Sequence, residues 1–495
     1  LNFINLSTAR ASMRMKEVGI RKTIGSTRWQ LIKQFLGEAL LFSTLAFLLA
    51  VLIANFSLPL LNKMVQRNII LYDESTLYLW LLLIILAIVI GLISGIYPAL
   101  ILSSFKPLRV LKGFLYSNNN SGSIRNVFVI IQFTIASVLI ITTLLMYKQL
   151  KFIKNKDIGF VKEQIIVIPM NSNANKNYES LKNELKANTN VRDVTAFNIV
   201  LGNEFGSMGS RYKSSNGEIK NLSVSHLVVD MNYLDFFKIK LLEGRSFSKE
   251  FSDTAGHSYI INETLAKQLE TKKVIGTPYA ANWIQQFGSI IGVSNDFNFN
   301  SLHNKVAPLY ISMQNWDFRS MAIKLKEGNK DKGLVYVEHL WKKYVPDMPF
   351  TYTFLDEHLN SLYQSDQQIS EAVTILALLG IIIACLGLFG VALFTIQTRR
   401  KEIGIRKVLG ASIRDITFLL SRKFLLLVLI ALIISFPIAW TAINKWLQEF
   451  AYHIKINIEF FVFSSLIALL AALITISVQV IRAANSNPVN NLRVE

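Results

Sequence analysis

The chain has 495 residues, 52% of them hydrophobic and 17% charged, with 52 Lys+Arg against 33 Asp+Glu and a formal net charge of +19. Soluble domains hold roughly 25% charged residues and rarely keep one core beyond about 250–300 residues, so this balance excludes a single globular unit in water and points to lipid. One cysteine, Cys385, excludes an intramolecular disulfide framework and a multi-cysteine metal site.

The sequence opens on Leu1, with no basic stretch, short apolar run and small-residue cleavage site behind it, and the expectation is that a longer sequence precedes it. A basic segment comes first, carrying Arg10, Arg14, Lys16, Arg21, Lys22, Arg28 and Lys33. An apolar stretch at 34–61 follows with the single charge Glu38, then one at 77–102 with no charge. A second basic loop (Lys106, Arg109, Lys112, Arg125) leads to an uncharged stretch at 127–147. A hydrocarbon core about 30 Å thick takes about 20 residues of helix, so each of these stretches predicts a span.

The block 148–370 differs in kind, with 27 Lys+Arg and 23 Asp+Glu. Within it 165–169, 226–230, 258–261 and 289–293 predict strands, and 178–188, 261–269 and 332–344 predict helices. The Asn-, Ser- and Gly-rich segments 171–177 and 203–217 predict loops. Three more spans follow at 372–397, 424–447 and 460–481, whose one charge is Lys445 near the end of the fifth. Between the fourth and fifth lies a third basic cluster, Arg399, Arg400, Lys401, Arg406, Lys407, Arg414, Arg422 and Lys423. Cytoplasmic loops retain Lys and Arg, and six crossings from an inside start put every basic cluster inside and 148–370 outside. The positive charge thus belongs to topology, and nucleic-acid binding is not expected.

The segment Lys16-Glu17-Val18-Gly19-Ile20-Arg21-Lys22-Thr23-Ile24-Gly25 recurs as Lys401-Glu402-Ile403-Gly404-Ile405-Arg406-Lys407-Val408-Leu409-Gly410. Both copies precede a long span, so the chain reads as two related halves. In each, a short basic helix should end on a left-handed glycine, Gly25 or Gly410. Thr27 with Gln30, and Ser412 with Asp415, have the spacing of a capping box that starts the next helix. The result is a helix-turn-helix elbow at the inner membrane face, and its repetition in two halves suggests a docking surface for a partner that is itself two-fold.

These elbows and the layout around them resemble the FtsX/MacB-like permease family of ABC transporters, in its long form with two fused halves. The external block is similar to the MacB-like periplasmic core domain at Leu241-Leu242-Glu243-Gly244-Arg245-Ser246-Phe247, Ile260-Ile261-Asn262-Glu263, Ile275-Gly276, Ile291-Gly292-Val293, Asp296-Phe297 and Ser301-Leu302-His303. The resemblance implies an α-helical polytopic membrane protein with six spans in this chain and one α+β extracytoplasmic domain of MacB-like periplasmic core type. Its expected divisions are a cytoplasmic elbow (1–33), the rest of a first FtsX-like permease domain (34–126), a span (127–147), the periplasmic core domain (148–370) and a second permease domain (371–495) with its elbow at 398–420. The family's first span, first external domain and most of its second span would precede Leu1.

The resemblance further implies a non-catalytic permease subunit of the inner membrane, with ATP and Mg held by a separate dimeric cytoplasmic ATPase of the MacB/LolD type. Further partners would be the bilayer and a periplasmic adaptor or hydrolase. Carried over as the ATPase-coupling surface are Glu17, Gly19, Arg21, Lys22 and Gly25, with Glu402, Gly404, Arg406, Lys407 and Gly410. The family uses this stroke to export drugs or peptides, to extract lipoproteins, or to signal to cell-wall hydrolases, and both classes stay open here.

No Gly-x-x-x-x-Gly-Lys-Ser/Thr occurs, so the chain is not expected to supply the ATP site. Its six histidines lack ligand spacing, and Asp356-Glu357-His358 does not make the two-histidine zinc motif, so no metal site is expected. Asp296, His303 and Trp341 are expected to be structural. With almost nothing ionisable in the spans, an ion-coupled carrier is disfavoured, and the small-residue patterns at Gly91 and Gly95 and from Gly380 to Gly390 predict close helix packing.

Overall fold

A computed structural model describes the chain except residues 1–14, 66–67, 71–76, 105–119, 252, 254–256, 314–317, 399 and 486–495. Lys106, Arg109 and Lys112 of the second basic loop and the final residues therefore lie outside the described part, and so do Arg10, Arg14 and Arg399. The first elbow begins with α1 (Met15–Thr23), followed by α2 (Arg28–Val65), α3 (Leu77–Ser104) and α4 (Asn120–Asn155). Helix α4 overruns its predicted span at both ends, since nothing in Lys148 to Asn155 stops a helix and Ile153 there is buried.

The external elements begin with β1 (Ile165–Pro169), α5 (Ser172–Lys176), α6 (Tyr178–Lys186) and β2 (Val191–Phe197). Then come β3 (Ser207–Lys213), β4 (Ile219–Val229), α7 (Tyr233–Phe237), β5 (Leu241–Gly244), β6 (Ser258–Asn262) and α8 (Glu263–Gln268). The set closes with β7 (Pro278–Ala281), β8 (Gly288–Ser294), β9 (Leu309–Met313), β10 (Ser320–Leu325), α9 (Lys330–Tyr344), β11 (Thr353–Phe354) and α10 (Leu355–Ser361).

Strands β11-β1-β10-β2 lie side by side, all antiparallel, and β2 continues into β4 through Phe197 and Val229. With α6 after β1 and α9 after β10, this is a split βαββαβ arrangement. Ile166 and Ile168 face α6 and α9, where they bury Leu181, Leu185, Leu340 and Trp341. Ile165 and Val167 face the opposite core of Phe197, Tyr233, Phe237 and Phe297. Burial on both faces explains why β1 is a continuous apolar run. Between β2 and β10 the chain inserts a ring of pairings, β4-β3-β7-β8-β6-β9 and back to β4, closed by the parallel β4–β9 pair. Tyr212, Tyr259, Tyr279 and Tyr310 fill the ring.

Three sequence expectations change here. The predicted loop 171–177 contains α5, because Asn171 caps it by accepting from Ala174 N at 2.8 Å. The predicted loop 203–217 contains β3, paired with β4 along its length and with β7 at Ser210 to Tyr212, so tertiary pairing overrides weak strand propensity. The helix predicted at 261–269 starts at Glu263, because Ile261 still pairs with Tyr310 and Asn262 is the N-cap.

The membrane unit resumes with α11 (Gln364–Thr398), then α12 (Arg400–Val408), α13 (Ile413–Leu447) and α14 (Ile458–Asn485). Six helices among the described residues are long and apolar enough to cross a membrane: those over 28–63, 77–96, 125–155, 364–398, 417–447 and 458–481. Helices α4, α11, α13 and α14 share a core of Phe133, Ala136, Ala384, Leu388, Phe424, Val428, Ala472 and Ile476. The glycines allow the close approach: a Cβ on Gly387 would lie 2.4 Å from Gln132 Oε1, and one on Gly95 would lie 2.6 Å from Ala39 Cβ. Helices α2 and α3 meet at that second crossing, where Ser43 Oγ donates to Ala87 O at 2.7 Å.

The chain forms two compact units, 1–147 with 368–445 and 455–495, and 148–367 with 446–454. The second of these, the external unit, therefore takes in the strap Trp446–Ile454 that joins α13 to α14, a segment the sequence reading grouped with the permease helices.

Candidate functional site

The two elbows share the same backbone turn. In the first, Ser26 N donates to Arg21 O at 3.0 Å and Gly25 N to Lys22 O at 3.2 Å. In the second, Ala411 N donates to Arg406 O at 2.9 Å and Gly410 N to Lys407 O at 3.2 Å. This is the Schellman ending, and it needs a left-handed residue that glycine supplies without a Cβ clash: φ is +103° at Gly25 and +92° at Gly410. Both capping boxes are present. Thr27 N donates to Gln30 Oε1 at 2.9 Å and Gln30 N to Thr27 Oγ1 at 3.4 Å, while Ser412 N reaches Asp415 Oδ2 and Asp415 N reaches Ser412 Oγ, each at 3.2 Å.

The side chains repeat as well. Glu17 pairs with Arg21 at 2.8 Å and Glu402 with Arg406 at 2.9 Å, one turn apart on an exposed face. The acid lies N-terminal to the cation in both, the orientation that favours the helix dipole, and each exposed pair contributes about 0.3–0.5 kcal/mol to its short helix. Val18 with Gly19, and Ile403 with Gly404, are buried. Lys22 Nζ donates to Ser103 O at 2.6 Å and Arg28 Nε to Ser103 Oγ at 3.3 Å, which ties the first elbow to the end of α3. Burial and the neighbouring Arg28 cation lower the Lys22 pKa. Lys407 is half-buried.

Of the ten carried-over residues, the structure thus places Glu17, Arg21, Glu402 and Arg406 on the accessible side, Gly19 and Gly404 on the inward side, and Gly25 and Gly410 at the turn. Sequence reasoning missed the apolar residues between them. Ile20 and Ile24 are 51% and 81% exposed, and their counterparts Ile405 and Leu409 are 52% and 80% exposed. Spaced i, i+4, they form one ridge on each elbow, outside the spans that begin at Arg28 and Thr417. The signal was present in the repeat, which keeps apolar residues at both positions of an otherwise basic helix. A matched, exposed apolar ridge flanked by paired charges has the composition of an interaction surface.

In the external unit the remaining candidates are structural. Trp341 is buried and its Nε1 donates to Met348 O at 3.0 Å. Asp296 accepts from Thr264 N at 3.0 Å and Thr264 Oγ1 at 2.7 Å. His303 stacks on Phe450 and Tyr363, with ring centroids 4.3 and 5.6 Å away. Among the described residues no three His, Cys, Asp or Glu side chains come together as metal ligands do.

The family described as FtsX-like permease C-terminal matches residues 1–107 and 374–488, so each matched segment contains one elbow. The MacB-like periplasmic core domain matches residues 129–334. The macrolide export ATP-binding/permease protein MacB of Chromobacterium violaceum is 24% identical over 220 residues, 40% of this chain and 32% of that protein. A Pseudomonas fluorescens protein named as a probable export ATP-binding/permease protein is 25% identical over 207 residues, 39% of this chain and 30% of its own length. The chain thus spans about a third of the curated relatives it matches. Among solved structures, the periplasmic region of MacB from Actinobacillus actinomycetemcomitans is 15% identical, with a TM-score of 0.30, over 41% of this chain and 94% of that one. The extracellular domain of the ABC-type transporter YknZ from Gram-positive bacteria is 17% identical, with a TM-score of 0.28, over 38% of this chain and 98% of that one.

Proposed function

Because the chain belongs to the FtsX/MacB-like permease family, a multi-pass inner-membrane family with an extracytoplasmic domain, we propose that it is the membrane subunit of an ABC transporter and that its two elbows receive the ATPase. The observation that carries this reading is the repetition in both elbows of the turn's backbone hydrogen bonds, the ion pair and the exposed ridge. Two equal docking surfaces suit a two-fold partner, a cytoplasmic ATPase dimer of the MacB/LolD type. ATP and Mg would be bound there, since this sequence has no phosphate-cradling glycine motif of its own. Closure of the ATPase dimer would push on the elbows, and the membrane helices would carry the displacement to the external domain. The work done outside would be export or extraction of a drug, peptide or lipoprotein.

One observation favours a second reading, signalling to an external enzyme such as a cell-wall hydrolase: the six apolar stretches carry only Glu38 and Lys445 as charges, whereas ion and substrate paths through a membrane are usually marked by ionisable side chains. Both readings share the elbows. Co-expression of the protein with its ATPase, purification in detergent and measurement of bound ATPase and its turnover test the shared part. Arg406→Glu with Lys407→Glu should abolish retention of the ATPase, and retention at the wild-type level would reject the elbow assignment. Cross-linking of the external domain in membranes, followed by identification of what it holds, separates cargo from enzyme.

A further inference from the structure

The strap Trp446–Ile454 connects two membrane helices yet packs within the external unit. A plain turn between neighbouring helices needs only about 2–8 residues and no partners of its own. This one is gripped. Gln149 is fully buried, donates through Nε2 to Tyr452 O and accepts through Oε1 from Ile454 N, both at 2.9 Å. A side-chain amide that satisfies a carbonyl and an N–H of the same passing segment takes the place of a neighbouring strand and fixes its register. Ala451 N donates to His303 O at 3.1 Å, and Phe450 lies buried against the His303 ring. The Lys156 ammonium sits 4.2 Å over the Tyr452 ring. Ile153, Leu302 and Phe450 share one apolar cluster.

What leads into the strap gives the grip its meaning. Helix α13 is one helix of 35 residues, Ile413–Leu447, that starts at the capping box of the second elbow and ends in the strap. At 1.5 Å per residue its path is about 52 Å long, with Pro437 inside it. The elbow therefore stands at the foot of two rods: α11, which enters it, and α13, which leaves it.

We propose that α13 and the strap are a second transmission route from the elbow to the external domain, and that Gln149 and His303 are positioning residues that hold its outer end. The proposal rests on the reading that an ATPase drives the elbows. A displacement of α13 along its axis arrives at Phe450 to Ile454, and the grip passes it to the outer end of α4 and to the segment Ser301 to His303. Without the grip the strap would absorb the displacement as slack.

The test uses the full-length protein with its ATPase in lipid nanodiscs, read by amide hydrogen exchange in the nucleotide-free and vanadate-trapped states. Gln149→Leu leaves the half-buried Tyr452 carbonyl and Ile454 N–H without this partner, and exchange across 449–456 should rise about ten-fold or more while β1 and β10 stay unchanged. The nucleotide-dependent change of exchange in the external domain should fall at least about three-fold. A second variant keeps Gln149, His303 and Phe450 and inserts Gly-Ser-Gly-Ser between Gln448 and Glu449, slackening the rod. It should lose the same nucleotide-dependent change while ATPase binding is retained. A full external response in the insertion variant overturns the second route and leaves the proposed function standing. A wild-type complex whose external domain does not respond to nucleotide at all overturns the proposed function and this route with it.

Discussion

Removing the ridge on the elbows should release the ATPase without disturbing the elbow itself. Ile24 and Leu409 keep 81% and 80% of their surface exposed, so almost all of their burial remains to be gained on docking. Complete burial of such a side chain stabilises by about 1.5–3 kcal/mol, and four-fifths of that is about 1.2–2.4 kcal/mol for each elbow. Some of it offsets ordering of the interface, so a single Leu409→Ser change should weaken affinity about ten-fold, and Ile24→Ser with Leu409→Ser about a hundred-fold. The assay is titration of detergent-purified protein with its ATPase, measured by surface plasmon resonance. Ile403→Ser is the contrast, because Ile403 is 5% exposed and packs in the shared membrane core. That change should lower the yield of folded protein, whereas the ridge variants should express normally. A double ridge variant that binds the ATPase within two-fold of wild type refutes the docking argument.

Two further outcomes follow from the external unit. Burial holds the pKa of the His226 imidazole down to about 4, where its ring stacks on Tyr310 and Nε2 meets Ser312 Oγ at 2.8 Å. Below about pH 6.5 the unfolded chain takes up a proton that the folded one does not, so stability is complete above that value and declines as pH falls towards 4. Opening of β4 and β9, followed by hydrogen exchange in the full chain, should show this decline, and His226→Phe should flatten it. Gly288→Ala should destabilise the ring, since a Cβ there would lie 1.9 Å from His257 O, the acceptor of the Ser289 N bond. Overpacking of this kind costs about 1–3 kcal/mol, and the external melting transition should fall by about 5 °C.

What could be read from the sequence follows from which forces act locally. Lipid imposes length and scarcity of charge on every span, so all six were visible in composition. Burial on both faces left β1 as an unbroken apolar run. Strand β3 was hidden, because Ser207, Gly209 and Ser210 gain strand character only from β4 and β7, which arrive later in the chain. Helix α5 was hidden by its asparagines, which suggest a loop until Asn171 is seen to cap. The strap was beyond reach for a different reason: its assignment depends on Gln149, more than 300 residues earlier, and nothing within 446–454 announces that partner. The elbows were legible through repetition, but their ridge was not, because an isoleucine in a short basic helix is expected to face inward.

The pairing of β11 with β1 sets Thr353 beside Val167 and Phe354 beside Ile166, so the external fold starts and finishes on adjacent strands, about 5 Å apart. That is the geometry of an inserted cassette, spliced between two helices at neighbouring points. An exchange of residues 165–354 for another fold with equally close ends would leave the incoming and outgoing helices at their original spacing. Such a chimera would also have to supply the contacts that Leu302 and His303 give to 446–454, because that stretch is the part of the external unit that comes from elsewhere in the chain.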